Sequence, residues 1–255
     1  MTPALLDLPA PLFGAIDATL AFAPAALRIA LYACACAWSG MVLYRRTSDQ
    51  ARLRELVGAV TQSQRALAAH EGDFAELRAL IRRNFTLTLR RLWLTTRPAL
   101  VASLPLLFAL PWLSDRFSCN SPAALQTIHA CVTPATAATR LHWTTPTATA
   151  EPGCWRVTWP VAGVAAGVAD ASGRTIYTSA APRSTSVEKF AWFNYLIGNP
   201  DGYLPDAGPI DRIDLDLDMQ QIVPFGPLWL RKWETYFFLV LFAISLALKF
   251  RWKIV

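Results

Sequence analysis

The chain has 255 residues, of which 54% are hydrophobic and 16% are charged. With a mean hydropathy of +0.30, it is too apolar for an ordinary soluble domain of this length, so the composition excludes that class and predicts a membrane protein. The formal net charge of +6 shows an excess of basic residues, and its meaning depends on where they lie.

Residues 1–24 are mostly apolar and contain two aspartates and no basic side chain. A cleaved signal peptide begins with basic residues, whereas here the basic pair Arg45 and Arg46 follows the first long apolar run. This order favours a retained first span with its N-terminus outside. We expect residues 12–22 to form a short helix that lies in the outer membrane interface.

Three further runs approach the roughly 20 apolar residues that a helix needs to cross a bilayer, and they predict three transmembrane helices. The second run contains Pro105, which removes a backbone hydrogen bond in mid-membrane, so we expect a helix kink there. The predicted order is an outer interfacial segment at 1–24, span 1 at 25–45, a hairpin at 46–91, span 2 at 92–114, a β-rich domain at 115–226, span 3 at 227–249 and a basic tail at 250–255.

The charged segment between the first two spans has helical periodicity. Thr47 with Gln50, and Asp73 with Glu76, have the spacing of capping boxes that begin helices, while Gly72 suits the left-handed residue that ends one. Each arm carries an apolar stripe, so we expect an antiparallel coiled coil, with a solvated helical linker as the alternative. Basic residues expected to contact clients or anionic lipid are Arg52, Arg54, Arg65, Arg78, Arg82 and Arg83.

The segment after the second span is rich in Thr, Pro, Ala and Gly. Short strands are predicted at 155–159, 163–168 and 175–179, with a turn at 170–173, and residues 210–218 alternate in the pattern of a half-buried strand. The aspartates of that strand suggest calcium, but the alternation puts three of them on one exposed face without a glycine-centred loop. A solvated strand face is therefore expected for Asp211, Asp214, Asp216 and Asp218.

The five cysteines fall into two groups. Cys34 and Cys36 lie in the first span, where small side chains simply pack. The other three lie in the β-rich segment, where an extracytoplasmic location permits disulfides. Three cysteines allow one bridge and leave one thiol. The sequence does not choose the pair, and of the alternatives we expect Cys119 with Cys131 rather than a bridge to Cys154.

The distribution of charge predicts the orientation. Residues 45–97 contain 11 Lys/Arg and 5 Asp/Glu, whereas residues 114–234 contain 9 and 11. By the positive-inside rule the hairpin and the C-terminus are cytoplasmic, and the N-terminus and the β-rich domain are outside. We expect an α-helical, multi-pass protein of the cell inner (plasma) membrane with a cytoplasmic coiled-coil hairpin and a small, mainly β extracytoplasmic domain. The excess positive charge then reflects topology and attraction to lipid, so no direct nucleic-acid binding is expected.

This order of elements, together with local sequence, resembles the YidC/Oxa superfamily of membrane-protein insertases. The likeness is to its three-span branch, which includes the archaeal YidC-like proteins and the third subunit of the eukaryotic ER membrane complex. It covers roughly residues 25–115 and 224–253 and leaves the β-rich domain outside. The residues that carry it are Thr47-Ser-Asp-Gln50, Gly72-Asp73, Arg97-Pro98, Pro105, Trp112 and, more weakly, Arg231-Lys-Trp-Glu-Thr-Tyr236.

Members of this superfamily pass short polar segments of client proteins across the bilayer through a hydrophilic groove open to the cytoplasm. The resemblance therefore implies an insertase or chaperone that needs no cofactor. Its implied partners are membrane lipid, nascent or small membrane-protein clients, and the ribosome or another membrane subunit.

Each predicted span carries a polar or small-residue line that would face such a groove, because helical spacing puts these residues on one side. For Arg28 the resemblance implies a functional arginine, and snorkelling to the outer headgroups is the alternative. For the serines the alternative is ordinary packing of small residues between helices. The predicted groove residues are Arg28, Tyr32, Ser39, Thr96, Ser103, Glu234 and Ser245.

A second function fits the same sequence: a non-catalytic membrane subunit or assembly factor whose extracytoplasmic domain binds a partner protein. The length of that domain, nearly half the chain, favours it. An enzyme is not expected. The three histidines are scattered, and the sequence contains no metal-ligand spacing, no serine-centred motif and no phosphate-binding glycine motif.

Overall fold

The computed structural model describes residues 4–145, 147–161 and 163–253. Three helices in these ranges are long and apolar enough to cross a membrane, in agreement with the three predicted spans. Two shorter helices accompany them. The helices are α1 (Ala10–Thr19), α2 (Ala25–Thr47), α3 (Gln50–Ala68), α4 (Phe74–Phe117) and α5 (Trp233–Trp252).

The chain divides into two compact units. The β-rich unit comprises Met1–Ile29 and Phe108–Tyr236, and the helical unit comprises Ala30–Leu107 and Phe237–Val255. The β-rich unit thus includes the N-terminal segment and one end of each long helix.

The second arm of the predicted hairpin and the second predicted span form one helix, α4, and no break marks the boundary predicted at residue 92. The helix includes Pro98, Pro105 and Pro111. An interior proline lacks an N–H donor and usually kinks or breaks a helix, yet α4 stays helical through all three. The kink predicted at Pro105 stays a prediction.

The helix starts differ in part from the predicted capping boxes. The cap of α3 is Asp49, whose side chain accepts from Arg52 N–H at 3.1 Å. Thr47 instead ends α2 and donates its hydroxyl to the Leu43 carbonyl at 2.7 Å, so the predicted box at Thr47 is wrong. Asp73 directly precedes α4, so this helix begins where it was predicted to begin, but the Asp73 side chain accepts from Phe74 N–H at 2.7 Å, and the box with Glu76 stays a prediction.

The turn between the two arms lies where the sequence predicts it, between the end of α3 and the start of α4. It does not use a left-handed glycine at position 72, because Ala69 closes α3 by donating its N–H to the Arg65 carbonyl at 3.0 Å. Among the described glycines, positive φ occurs at Gly153, Gly163, Gly173, Gly202 and Gly226.

The apolar faces of the two arms differ in burial. Leu53, Leu56 and Val60 of α3 are buried, whereas Phe74 and Ile81 of α4 are exposed. A coiled coil buries the stripes of both arms against each other. The antiparallel coiled coil therefore stays a prediction.

Helix α5 begins later than the predicted third span. It starts at Trp233 rather than at residue 227, and it extends to Trp252. The intervening segment contains Pro227 and Gly226, whose φ of +93° is a left-handed conformation that suits glycine and interrupts a helix.

The β-rich unit contains two antiparallel sheets. The larger has the strand order β3-β4-β1-β8-β7 and the smaller has the order β2-β5-β6. The strands are β1 (Thr127–Thr133), β2 (Leu141–Trp143), β3 (Thr149–Glu151), β4 (Cys154–Thr158), β5 (Ala166–Asp170), β6 (Thr175–Ser179), β7 (Ser186–Glu188) and β8 (Arg212–Leu215).

A hydrophobic core lies under these strands. Burial alternates along β1, as expected for a strand with one face inward. Trp143 and Trp155 contribute large rings with centroids 6.2 Å apart, and Val157, Val168 and Ile213 are fully buried. The predicted mainly β character of this region is thus what the structure shows.

The predicted strands are found with small shifts. The strand at 175–179 has the predicted bounds, and the strands predicted at 155–159, 163–168 and 210–218 correspond to β4, β5 and β8. The predicted turn is also present: Gly173 has a φ of +82° and donates its N–H to the Asp170 carbonyl at 2.9 Å. Strands β1, β2, β3 and β7 were not predicted.

The disulfide joins Cys131 to Cys154, so the expected bridge between Cys119 and Cys131 is wrong. The reason is the strand register, because Cys131 of β1 and Cys154 of β4 lie directly opposite each other with Cα atoms 4.0 Å apart. Cys119 lies on an isolated bridge to Met219 and donates its thiol to the Arg183 carbonyl at 2.8 Å.

The aspartates around β8 take part in ion pairs and hydrogen bonds. Asp211 accepts from Lys189 Nζ at 2.7 Å, Asp214 accepts from Arg212 Nε at 2.6 Å, and Asp218 accepts from the Gln126 amide at 2.8 Å. Within the part of the chain that the structure describes, no three His, Cys, Asp or Glu side chains converge so that they could hold a metal ion.

Candidate functional site

A cavity of about 270 Å³ in the helical unit is the candidate functional site. All three long helices contribute to its wall. Two of the predicted groove residues lie there, Ser103 of α4 and Ser245 of α5. The lining residues are Cys36, Ala37, Gly40, Met41, Tyr44, Ala99, Ala102, Ser103, Leu106, Leu241 and Ser245.

Beside this cavity α2 and α4 approach each other closely at a glycine. A Cβ added to Gly40 would lie 2.9 Å from the Ala102 carbonyl oxygen. Any side chain at position 40 would therefore push against the backbone of α4. Small residues at such a contact are typical of helices that pack within a membrane.

The cavity wall is mostly apolar, and none of its lining residues is charged. Its polar groups are the hydroxyls of Ser103, Ser245 and Tyr44 and the thiol of Cys36. The Ser103 hydroxyl donates to the Leu100 carbonyl at 2.8 Å, and the Cys36 thiol lies 3.9 Å from the Pro105 carbonyl oxygen. A serine hydroxyl that donates to its own helix still has lone pairs that can accept from water or a client.

No known family, curated protein or solved structure matches this chain. Its function is therefore inferred from its own residues.

The other predicted groove residues do not line this cavity. Ser39 donates to the Ala35 carbonyl at 2.7 Å, and Thr96 donates to the Leu92 carbonyl at 2.8 Å, so both hydroxyls bond within their own helices. Tyr32 is buried in the helical unit. Arg28 and Glu234 belong to the β-rich unit, and Glu234 is exposed.

Arg28 lies in a buried ion-pair cluster. Its Nη1 donates to both carboxylate oxygens of Asp17, at 2.9 and 2.8 Å. Arg116 Nε donates to the same carboxylate at 3.0 Å, and both guanidinium groups lie near the Phe117 ring, with Cζ atoms 5.2 and 5.9 Å from its centroid.

This cluster ties three elements of the β-rich unit together. Asp17 is only 4% exposed, and a buried carboxylate of this kind requires a positive partner. The partners come from α2 and α4, so α1 is fixed against one end of each of these helices. Sequence reasoning missed this role of Asp17, although an aspartate in an otherwise apolar helix was a usable signal.

The six arginines predicted to contact clients or lipid are all exposed. Three of them border a surface depression of about 490 Å³ on α4, namely Arg78, Arg82 and Arg83. Arg52, Arg54 and Arg65 lie on α3. Exposure leaves every one of these guanidinium groups able to bind anionic lipid or a polypeptide.

Outside the spans, Asp201 in the β-rich unit is a partly buried carboxylate. Its Oδ2 accepts from the N–H groups of Arg183 and Ser184, at 2.8 and 2.6 Å. Burial raises the pKa of Asp201 above its ordinary value, although these hydrogen bonds and the charge of Arg183 act in the opposite direction.

Proposed function

We propose that this chain is a membrane-protein insertase or chaperone of the kind that its resemblance to the YidC/Oxa superfamily implies. The observation that supports this most is the cavity that α2, α4 and α5 share, with Ser103 and Ser245 in its wall. The cavity is open to its surroundings and is not enclosed, so a client segment can reach the two hydroxyls.

The physical basis is a lower barrier to moving polar groups through hydrocarbon. A polar group that enters a bilayer without a hydrogen-bond partner costs several kcal/mol. At about 30 Å³ per water molecule, a cavity of about 270 Å³ has room for several waters. Hydroxyls and water along part of the path shorten the hydrocarbon that a client segment must cross. No covalent step and no cofactor is required.

The proposed orientation places the exposed arginines of α3 and of the first part of α4 on the cytoplasmic side of the cell inner membrane. There they would capture nascent or small membrane proteins, contact the ribosome or another membrane subunit, or hold the arms against anionic lipid. The C-terminus would also be cytoplasmic and the N-terminus outside. The proposal rests on the positive-inside rule and on the exposure of these side chains.

Reconstitution tests this function. The full chain is placed in liposomes with a single-span client that carries a short polar tail, and the protease-protected fraction of the tail is measured. The double variant Ser103→Ala, Ser245→Ala removes two hydroxyls and leaves the space. Since one hydrogen bond contributes about 1 kcal/mol, we expect the insertion rate to fall by about tenfold or more.

A matched double variant separates the cavity from general effects on the helices. Ser39→Ala with Thr96→Ala also removes two hydroxyls from the spans, but both lie outside the cavity wall. This variant should insert the client as the parent chain does. Equal loss in both double variants, or insertion no faster than in protein-free liposomes, would contradict the proposal.

The alternative function, a non-catalytic subunit or assembly factor, is favoured by one observation. The β-rich unit has its own hydrophobic core and disulfide, as expected of a domain that binds a partner protein. Replacing residues 120–222 with a short linker distinguishes the two. If the shortened chain still inserts the client, the result supports the insertase. If the full chain inserts the client no faster than lipid alone, and the replacement removes a partner protein that is otherwise extracted with the chain, the result supports the subunit.

A further inference from the structure

The β-rich unit carries an apolar surface made by two segments that are distant in sequence. One is the N-terminal segment with α1, and the other includes a 3-10 helix at Trp192–Tyr195. Two hydrogen bonds join them: Leu6 N–H donates to the Leu196 carbonyl at 3.0 Å, and Gly198 N–H donates to Asp7 Oδ2 at 2.9 Å. The apolar face comprises Leu5, Leu8, Leu12, Trp192, Tyr195 and Ile197.

These side chains are exposed to a degree that is unusual for their size. Trp192 is 77% exposed, Tyr195 66% and Leu12 62%. The two hydrogen bonds bring the segments that carry these side chains together, and large exposed apolar surface of this kind marks a contact with another molecule or with a membrane.

We propose that the apolar face lies in the headgroup and upper acyl region of the nearer membrane leaflet, so that residues 192–197 are a membrane contact of the β-rich unit separate from its helices. This proposal does not depend on the insertase function. It depends only on α2, α4 and α5 crossing a bilayer.

The ion-pair cluster supports this position. Asp17 of α1 is bound by Arg28, near the start of α2, and by Arg116, near the end of α4. Because α2 and α4 are both candidate membrane spans, α1 lies where two of them reach the membrane boundary. The residue pairs Leu6–Leu196 and Asp7–Gly198 then attach the loop at 192–197 to this boundary.

Several backbone polar groups of the loop are paired, which lowers the cost of entering an apolar environment. Asn194 accepts from Ala191 N–H at 2.7 Å through its side chain and donates its own N–H to the Ala191 carbonyl at 2.9 Å. Leu196 and Ile197 both donate their N–H groups to the Phe193 carbonyl, at 2.9 and 3.2 Å. These bonds reduce the number of backbone groups that would lose hydrogen bonds to water.

Charge and residue type favour lipid over a protein partner. Residues 190–200 contain no charged side chain, and both aspartates of the N-terminal segment are already bound within the chain. Protein interfaces usually have a charged or polar rim. Tryptophan and tyrosine, by contrast, are enriched at the membrane interface, where an apolar ring with a polar edge is stable.

The loop is also anchored to the sheet, so its insertion would orient the whole unit. The Phe190 ring packs edge-on against the rings of Tyr195 and Tyr203, with centroids 4.8 and 5.0 Å away. The Asn199 amide donates to the carbonyl of Ser186, the first residue of β7, at 2.9 Å.

Spin labels on the full chain in phosphatidylcholine vesicles test the proposal. The free cysteines are first replaced, as Cys34→Ala, Cys36→Ala and Cys119→Ser, which leaves the disulfide intact. A nitroxide is then attached at Ile197→Cys or at Val164→Cys. Both native side chains are 48% exposed, but Val164 lies outside the apolar face, so it is a matched control. Collision rates with oxygen, which concentrates in lipid, and with a water-soluble nickel chelate are measured.

We expect the ratio of oxygen to nickel collisions to be higher at position 197 than at position 164, and the same shift at a Trp192→Cys label, which serves as a second reporter. Equal ratios at 197 and 164 would overturn the proposal, because position 197 would then be no closer to lipid than a position outside the apolar face. Protection of position 197 from both reagents would also overturn it, because it indicates a protein partner.

Discussion

The two units of this chain differ in how far their apolar side chains are exposed. In the β-rich unit, side chains such as Val157 and Val168 are fully buried in a common core. In the helical unit, large residues such as Leu100 and Phe242 point outward, with 65% and 67% of their surface exposed. The first unit is stabilised by excluding water from its interior. The second has helices that are long and apolar enough to cross a membrane, so its exposed surface suits lipid, and two of these helices approach closely at the small residue Gly40.

The largest effect is expected at Asp17, where the β-rich unit buries a charge. Asp17→Ala leaves the guanidinium of Arg28 buried without its carboxylate, so we expect the free energy of unfolding to fall by about 3–5 kcal/mol. Thermal unfolding in nanodiscs measures this. Arg116→Gln is the control, because the Arg116 side chain is 45% exposed and its loss should cost about 1 kcal/mol or less. Equal losses in the two variants would show that the carboxylate is not the centre of the cluster.

The disulfide should stabilise the β-rich unit and leave the helical unit unaffected. Replacing Cys131 and Cys154 together with serine should lower the unfolding free energy of the β-rich unit by about 2–4 kcal/mol. Protease resistance of residues 127–215 would fall, while the helical unit in lipid would keep its resistance. Cys119→Ser is the control, since it keeps a hydroxyl donor in place of the thiol that bonds to Arg183. Loss of helical resistance as well would contradict the independence of the units.

In the helical unit, a matched pair of glycines tests close helix packing. Gly40→Ala puts a Cβ against the Ala102 carbonyl oxygen and should destabilise the unit by about 1–3 kcal/mol. Gly58→Ala in α3 meets nothing within 4 Å and should stabilise the helix by up to about 1 kcal/mol. Thermal unfolding in nanodiscs compares the two. If both variants increased the stability of the unit, the result would show that α2 and α4 do not touch at Gly40.

The smallest effect concerns pH in the β-rich unit. Because burial raises the pKa of Asp201, the folded chain keeps this proton over a range where the unfolded chain has already lost it. Stability should therefore decrease as pH rises from the ordinary aspartate pKa to the raised one. Asp201→Asn keeps an oxygen acceptor for Arg183 and Ser184 and should flatten this decrease in an unfolding series from acid to neutral pH. Asp206→Asn, at an exposed position, should leave the slope unchanged.

The helices and strands that depend on local sequence pattern were the features predicted best. Long apolar runs predicted three helices of sufficient length, and alternation with a Gly173 turn predicted β6 with its bounds. Short strands such as β2 and β7 were missed because three residues carry too little periodicity to be recognised. The capping box at Thr47 failed because Asp49 offers a better-placed acceptor two residues later.

Contacts between residues that are distant in sequence could not be predicted from the sequence. The disulfide partner of Cys131 is set by the register of β1 and β4. Asp17 and Arg116 form their ion pair across 99 residues of sequence. Similarly, helical periodicity put Ser39 on a polar line, but only the approach of α2, α4 and α5 decides which serines share a cavity, and those are Ser103 and Ser245.

The proposed function requires that water reaches the cavity among α2, α4 and α5 from the cytoplasmic side. The most direct measurement uses Ser245→Cys and Leu246→Cys in the chain without free cysteines, each exposed to a membrane-impermeant thiol reagent on that side. These neighbours have similar depth in α5, but Ser245 lines the cavity and Leu246 does not. We expect fast labelling at 245 and little at 246. Equal protection of both positions, or faster labelling at 246, would contradict it.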